Sequence, residues 1–209
     1  CFQRHATSKL KSADDLFKLQ TKGFRGEALA SIASIAHVSM RTKQATVETG
    51  TLIEVEGNTI RTNEQIVCSK GTSFEVKNLF YNVPARRNFL KSETIEFGHI
   101  RDEFERVALA HPEIKFSLHH NGQEIYNLQA GVLRMRVASI FGRNSNERLV
   151  PIEEQTNIVS IKGFLGKPDA ARKTRGEQFF FVNNRYFKDS YFHHAITKAF
   201  DGMISDKHY

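Results

Sequence analysis

Between Lys22 and Ala33 the chain reads Lys-Gly-Phe-Arg-Gly-Glu-Ala-Leu-Ala-Ser-Ile-Ala, and this run constrains the rest more than any other. Two glycines three apart bracket an arginine and open directly onto small and apolar residues. Gly23 and Gly26 permit φ > 0 or a close backbone approach. A helix beginning beyond them offers unpaired N–H groups and partial positive charge, and Arg25 adds a forked donor suited to phosphate oxygens. The run reads as a phosphate cradle leading into a buried helix. The plainer alternative is a turn that merely punctuates the chain before a helix.

The remaining pattern predicts an α+β fold. Ser12 with Asp14 and Asp15 marks a short helix start, with Leu16 and Leu19 inward. Val38–Thr42, Thr51–Val55 and Thr72–Lys77 alternate and predict half-buried antiparallel strands. Pro84 suits the first turn of a helix, with Asn82 near its cap. A long helix follows from about Ser92 to Leu109, with Phe97, Ile100, Phe104 and Val107 as its apolar stripe, and His111-Pro112 ends it. Ile114, Phe116 and Leu118 alternate into Asn121-Gly122, a hairpin signal. Helices on one side of a mainly antiparallel sheet make an α+β layer. A new unit is expected near residue 131: an amphipathic helix over Val132–Phe141 closed by Gly142, strands around Val150–Ile152 and Asn157–Phe164, and a basic connection from Gly166 to Gly176. Phe179–Val182 reads as a fully buried strand, Asn183-Asn184 as a turn, and Asp189 as the cap of a last helix with Ile196, Ala199 and Phe200 inward.

Charge is unevenly placed. Residues 1–130 hold 17 Lys and Arg against 15 Asp and Glu, and residues 131–209 hold 13 against 8. The shorter part therefore carries most of the formal +7, which favours a polyanionic partner for it. Lys162, Lys167, Arg172, Lys173, Arg175, Arg185 and Lys188 are its candidate DNA-phosphate contacts. No aromatic residue interleaves between residues 165 and 178, so base stacking is not indicated. Cys1 and Cys68 show no metal spacing and no disulfide framework, which fits a reducing cytoplasm. No run approaches a membrane span, no metal cluster stands out, and no catalytic Ser/His/Asp or Cys/His set is visible.

The run KGFRGEALASIASIAHV resembles the nucleotide-lid motif of the MutL-type mismatch-repair ATPases, members of the GHKL superfamily. Arg4-His5-Ala6-Thr7-Ser8-Lys9 upstream and Gly71–Lys91 downstream, including Asn78-Leu79-Phe80-Tyr81-Asn82-Val83-Pro84-Ala85-Arg86-Arg87, match the same family. The resemblance implies the later part of a GHKL ATPase α/β sandwich over residues 1–130, then a truncated ribosomal-S5-like α/β domain over 131–209. It further implies that Gly23, Phe24, Arg25, Gly26, Glu27, Ala28 and Leu29 wrap a triphosphate, that Thr7, Ser8 and Lys9 reach the nucleotide from a second lid segment, and that Thr72 points toward the adenine. Glu27 is expected to be structural, because the family's general base lies in an earlier motif. His5 is taken as structural too. From the residues alone, Thr7–Lys9 is also readable as a capped turn with a solvated lysine, and Thr72 as an ordinary strand residue.

The family's catalytic Glu, its magnesium-binding Asn and its Asp-x-Gly-x-Gly turn precede the lid, and its γ-phosphate lysine follows the second domain's helix. This chain holds none of them. ATP and Mg2+ are therefore expected as cofactors of the full-length protein, with ATPase activity absent from this piece. Expected partners are DNA, a mismatch-recognition protein of the MutS type and a second copy in a homodimer, in a bacterial, nucleoid-associated cytoplasmic setting. Some family members place an arginine implicated in DNA contact where this chain has Ser190, which favours Arg172–Arg175 as the DNA surface. The alternative is a DNA-binding module that works through the basic second part without nucleotide.

Overall fold

The computed structural model describes residues 1–10, 12, 14, 15, 19, 21–174, 176–205, 208 and 209. It divides into two units, Cys1–Ser92 and Glu93–Tyr209, so the division expected between residues 130 and 131 lies inside the second. Leu16, the first inward residue of the helix expected after Ser12, lies outside the described residues. Of that helix start, the Ser12 N–H donates to the Asp15 carboxylate at 2.9 Å, an acid reaching back over the first turn.

The first unit is built on a four-stranded sheet of β1 (His37–Lys43), β2 (Gly50–Glu56), β3 (Thr59–Ile66) and β4 (Gly71–Lys77). The order is β3-β2-β1-β4, antiparallel throughout. The register places Val38 opposite Val55 and Val76, and Met40 opposite Ile53 and Phe74. With side chains alternating, these residues share one face. Against it lies α1 (Ala28–Ala33). Ala33, Ala36, Val38 and Val55 form the buried cluster, with Phe2, Ile32 and Ile53 packed on it. Small side chains bring helix and sheet together, so Ala30, Ala33 and Ala36 are buried while Leu29, Ile32 and Ile35 stay half-buried. At the β4 edge the same face opens, leaving Phe74 and Val76 exposed.

β3 was not expected. Its sequence, Thr-Ile-Arg-Thr-Asn-Glu-Gln-Ile, lacks apolar alternation, because an edge strand largely facing water has no pattern to display. The segment after β4 folds back instead of running free. The Phe80 N–H donates to the Ile35 carbonyl at 2.7 Å, and the Asn82 amide donates to the Ser34 carbonyl at 2.9 Å. Asn82 therefore does not cap α2 (Pro84–Arg87); Val83 holds that position, with Pro84 in the first turn as predicted.

The second unit begins with α3 (Glu93–Ala110), which packs on the hairpin β5 (Phe116–His120) and β6 (Gln123–Leu128). Asn121 and Gly122 both have positive φ, 49° and 79°, the combination a two-residue type I′ turn requires. Phe104 lies parallel to Tyr126 at 5.5 Å and edge-on to Phe116 at 6.0 Å, and Phe97 stacks on His120 at 3.9 Å. Ile100 departs from the expected stripe and is 56 % exposed. The inward side of α3 carries Glu105 instead, whose carboxylate accepts from the Tyr126 hydroxyl at 2.6 Å.

Burial, then the bond to Glu105, pushes the Tyr126 phenol up to about 12 from an ordinary 10.0. Its folded value lies above its unfolded one, so this contribution to stability is complete below pH 10 and is lost as pH rises toward 12. Alkaline titration followed by tyrosinate absorbance should show one of the five tyrosines ionising late. A late phase that survives Tyr126→Phe would show the assignment wrong.

α4 (Leu133–Phe141) follows, ending at Gly142 with φ 91°. Its inward stripe carries Leu133, Val137 and Ile140, and between them Arg136, only 2 % exposed. The guanidinium donates to four carbonyls: Ala108 at 2.8 Å, Pro112 at 3.1 Å, Ile114 at 2.6 Å and Gln129 at 3.1 Å. Ala108 lies in the last turn of α3, where carbonyls lack intrahelical partners and the helix dipole is negative. Arg136 thus closes α3 from another helix. Burial lowers its basicity from the usual arginine value.

Beyond α5 (Ser145–Arg148), β7 (Leu149–Gln155) pairs antiparallel with β8 (Ser160–Gly166), and β9 (Phe180–Val182) with β10 (Arg185–Phe187). Asn183 and Asn184 turn the second pair with φ 48° and 62°. β9 is not fully buried: Val182 is 56 % exposed, because a two-stranded ladder covers little of its own surface. Arg106 of α3 sits over the Tyr186 ring at 4.4 Å. Asp189 caps α6 (Ser190–Ala199), accepting from the Tyr191 and Phe192 N–H groups at 2.8 and 3.1 Å. Ile196 and Phe200 are half-buried and Ala199 is exposed.

Candidate nucleotide-lid site

Two segments separated by about twenty residues meet in the first unit. The His5 N–H donates to the Gly26 carbonyl at 2.9 Å. Gly26 has φ +68°, and a Cβ there would lie 2.5 Å from the Ala6 carbonyl oxygen and 2.9 Å from its nitrogen. Only glycine permits both the turn and the approach. Gly23 differs: its φ is not in the left-handed region and its surroundings are open. Of the two glycines, one is required by this geometry.

Glu27 occupies the cap position of α1 but makes no side-chain cap bond. Its carboxylate instead lies 3.3 Å from His5 Nδ1 and 3.1 Å from Arg25 Nε. Glu27 thus bridges the two segments, a structural contact. Arg25 meets Glu27 through Nε, and its side chain is 73 % exposed. Phe24 and Leu29 are half-buried and Ala28 is exposed.

The Thr7 hydroxyl accepts from the Lys9 N–H at 3.1 Å, and Ser8 and Lys9 are exposed, the geometry of a capped turn. Thr72, on the β4 edge strand, shares a hydrogen bond with Thr42 at 2.8 Å. The opposite face of that sheet carries Arg41, Glu75 and Lys77, where the bond from Lys77 at 2.6 Å, and then the one from Arg41, hold the Glu75 carboxyl below its usual range.

The basic residues of the second unit occupy several elements. Lys162 lies on β8 opposite Glu153. Lys167, whose N–H donates to the Arg148 carbonyl, precedes the short turn Pro168–Ala170. Lys173 and Lys188 are exposed. Arg172 pairs with Glu177 at 2.7 Å, Arg185 is half-buried on β10, and Arg175 lies outside the described residues. Arg136, one of the cations in the charge balance, is withdrawn into the core.

Comparison with known proteins decides the family. The family model described as DNA mismatch repair protein, C-terminal domain, matches residues 137–209. A DNA mismatch repair protein MutL of Flavobacterium johnsoniae is 60 % identical over 206 residues, 99 % of this chain and 32 % of that protein. The MutL of Bacteroides fragilis is 48 % identical over 203 residues, 97 % of this chain and 32 % of that one. The chain belongs to the MutL family.

It spans about a third of the length of these curated MutL relatives. Among solved structures, the Aquifex aeolicus MutL ATPase domain complexed with ADP has a TM-score of 0.71 at 26 % identity, covering 90 % of this chain and 71 % of that one. The N-terminal domain of a DNA repair protein gives 0.74 at 25 %, covering 90 % and 63 %. The fold is accordingly α+β and covers part of a GHKL-type ATPase domain. At the lid the exposed Arg25 and Lys9 side chains carry positive charge, which suits an anion. The Glu27 carboxylate already faces two nitrogen groups. Among the described residues no group of three or more His, Cys, Asp or Glu could hold a metal ion. Among the described residues no helix is long and apolar enough to cross a membrane.

Sequence reading missed Arg136 and the Glu27 bridge. For Arg136 a signal existed, since Leu133 three residues before and Ile140 four after place it on the apolar stripe. For Glu27 none did, because His5 is distant in sequence.

Proposed function

We propose that this chain supplies the lid of a MutL ATPase. Gly23–Leu29, with Thr7, Ser8 and Lys9, would enclose the phosphates of ATP, Thr72 would face the adenine, and residues 131–209 would form an S5-like domain that transmits the nucleotide state. The observation that carries this reading is the junction of the two lid segments at Gly26 and Ala6. A disorder-to-order change in such segments, biased by phosphate contacts, is a recurrent switch. In the whole protein, Mg2+ and a catalytic carboxylate would come from elsewhere, hydrolysis would follow, and lid ordering would favour a homodimer that answers a MutS-type partner in the bacterial cytoplasm.

Residues 1–209 by themselves are then expected not to turn over ATP. Steady phosphate release from the pure polypeptide, abolished by Arg25→Ala, would overturn that.

The charge excess of residues 131–209 supports contact with DNA phosphates, and a purely DNA-binding role is the competing reading. Lys162, Lys167, Lys173 and Lys188 are its best carriers; Arg172 is partly neutralised by Glu177. Affinity for duplex DNA should fall steeply with salt, with a log–log slope of about one per phosphate contact. Lys167→Glu with Lys173→Glu should flatten that slope. Unchanged affinity at low salt would remove these residues from the interface.

A further inference from the structure

The Glu27 carboxylate belongs to the second lid segment, yet one oxygen faces His5 of the first segment at 3.3 Å and the other faces Arg25 at 3.1 Å. It does not cap the helix it precedes. The His5 backbone is tied to the same corner by its bond to the Gly26 carbonyl and holds a left-handed φ of 63°. A non-glycine residue adopts that conformation only where its surroundings impose it. Two backbone strands and one carboxylate thus define a single junction, and the arginine's direction depends on it. An arginine approached at Nε can still present its terminal amino groups to a second, bidentate acceptor.

We propose that Glu27 is a positioning residue for the lid: bridging His5 and Arg25, it aims the Arg25 fork at nucleotide phosphates while the two segments are joined. The assignment rests on the reading that the lid binds nucleotide. Opening the junction would release Glu27 from His5 and loosen its hold on the already exposed Arg25, so phosphate binding and segment closure reinforce each other. A competing role is possible for the same geometry, with Glu27 acting as an internal anion that phosphate must displace. Engagement through Nε favours positioning over competition.

The two roles predict opposite signs. In the full-length protein that carries this segment, with ADP as the titrant, Glu27→Gln should weaken binding by about two- to fivefold, the range for an exposed charge pair. His5→Ala should act in the same direction. Because Glu27 works through Arg25, Glu27→Gln should add nothing further in an Arg25→Ala background, whereas a general folding role would add its full cost there and lower the thermal midpoint. Glu27→Asp, one methylene shorter, should recover part of the affinity. Tighter ADP binding by Glu27→Gln, or an effect that persists undiminished without Arg25, overturns the proposal. Wild-type protein that binds no ADP would instead overturn the nucleotide-lid reading beneath it.

Discussion

Arg136→Met should cost the second unit about 2–4 kcal/mol, since a buried carbonyl left without its donor costs about 1–3 kcal/mol. Methionine fills similar space but leaves the Ala108, Pro112, Ile114 and Gln129 carbonyls without their shared donor. Some will find water, since Pro112 and Gln129 lie in connecting segments, but Ala108 is fully buried. Against a typical domain stability of about 5–15 kcal/mol, a loss of this size is a large fraction. Arg136→Lys should fall between, because an ammonium keeps the charge but cannot span four acceptors in a planar fork. The check is urea unfolding: the midpoint should drop with the slope unchanged. A midpoint within experimental scatter of wild type would mean that the network does not stabilise the fold.

Gly26→Asp should abolish the lid's response to nucleotide. A side chain there must leave φ +68° or push the Ala6 backbone away from a 2.5 Å overlap, and backbone atoms cannot rotate aside as a flexible side chain can. Strain of about 1–3 kcal/mol for the dihedral alone corresponds to roughly five- to 150-fold in ADP affinity, before the collision is counted. Gly23→Ala is the internal control, since its Cβ meets nothing within 4 Å. If both substitutions cost the same, the close approach at Ala6 is not what the lid depends on.

How much of this could be read from sequence follows the range of each interaction. Asn121-Gly122, Asn183-Asn184 and the Asp189 cap appear where expected, because turn and cap chemistry is settled within two or three residues. β1, β2 and β4 carry their alternation plainly. β3 carries none, since its side chains mostly meet water on both faces. The exposed Ile100 and the open face of β9 show the reverse: apolar spacing states where a side chain prefers to be, and only the packed neighbours decide how far it is covered. At the lid, the sequence marked Gly26 as special but could not say against what. Ala6 enters only through the fold. Arg136 enters the charge balance like any other cation, because a net charge gives each arginine equal weight wherever it lies.

The carbonyls gathered by Arg136 also decide where this polypeptide can be cut. A break between Ala130 and Gly131 separates the guanidinium from all four acceptors, and also severs the bond from the Gly131 N–H to the Pro112 carbonyl at 2.9 Å. The upstream half would keep a helix end with no closure, and the downstream half a bare cation on an apolar stripe. A cut at residue 137, where the family match begins, falls inside α4 and leaves Arg136 behind with its four acceptors. A soluble piece meant to carry the basic elements should begin before α3.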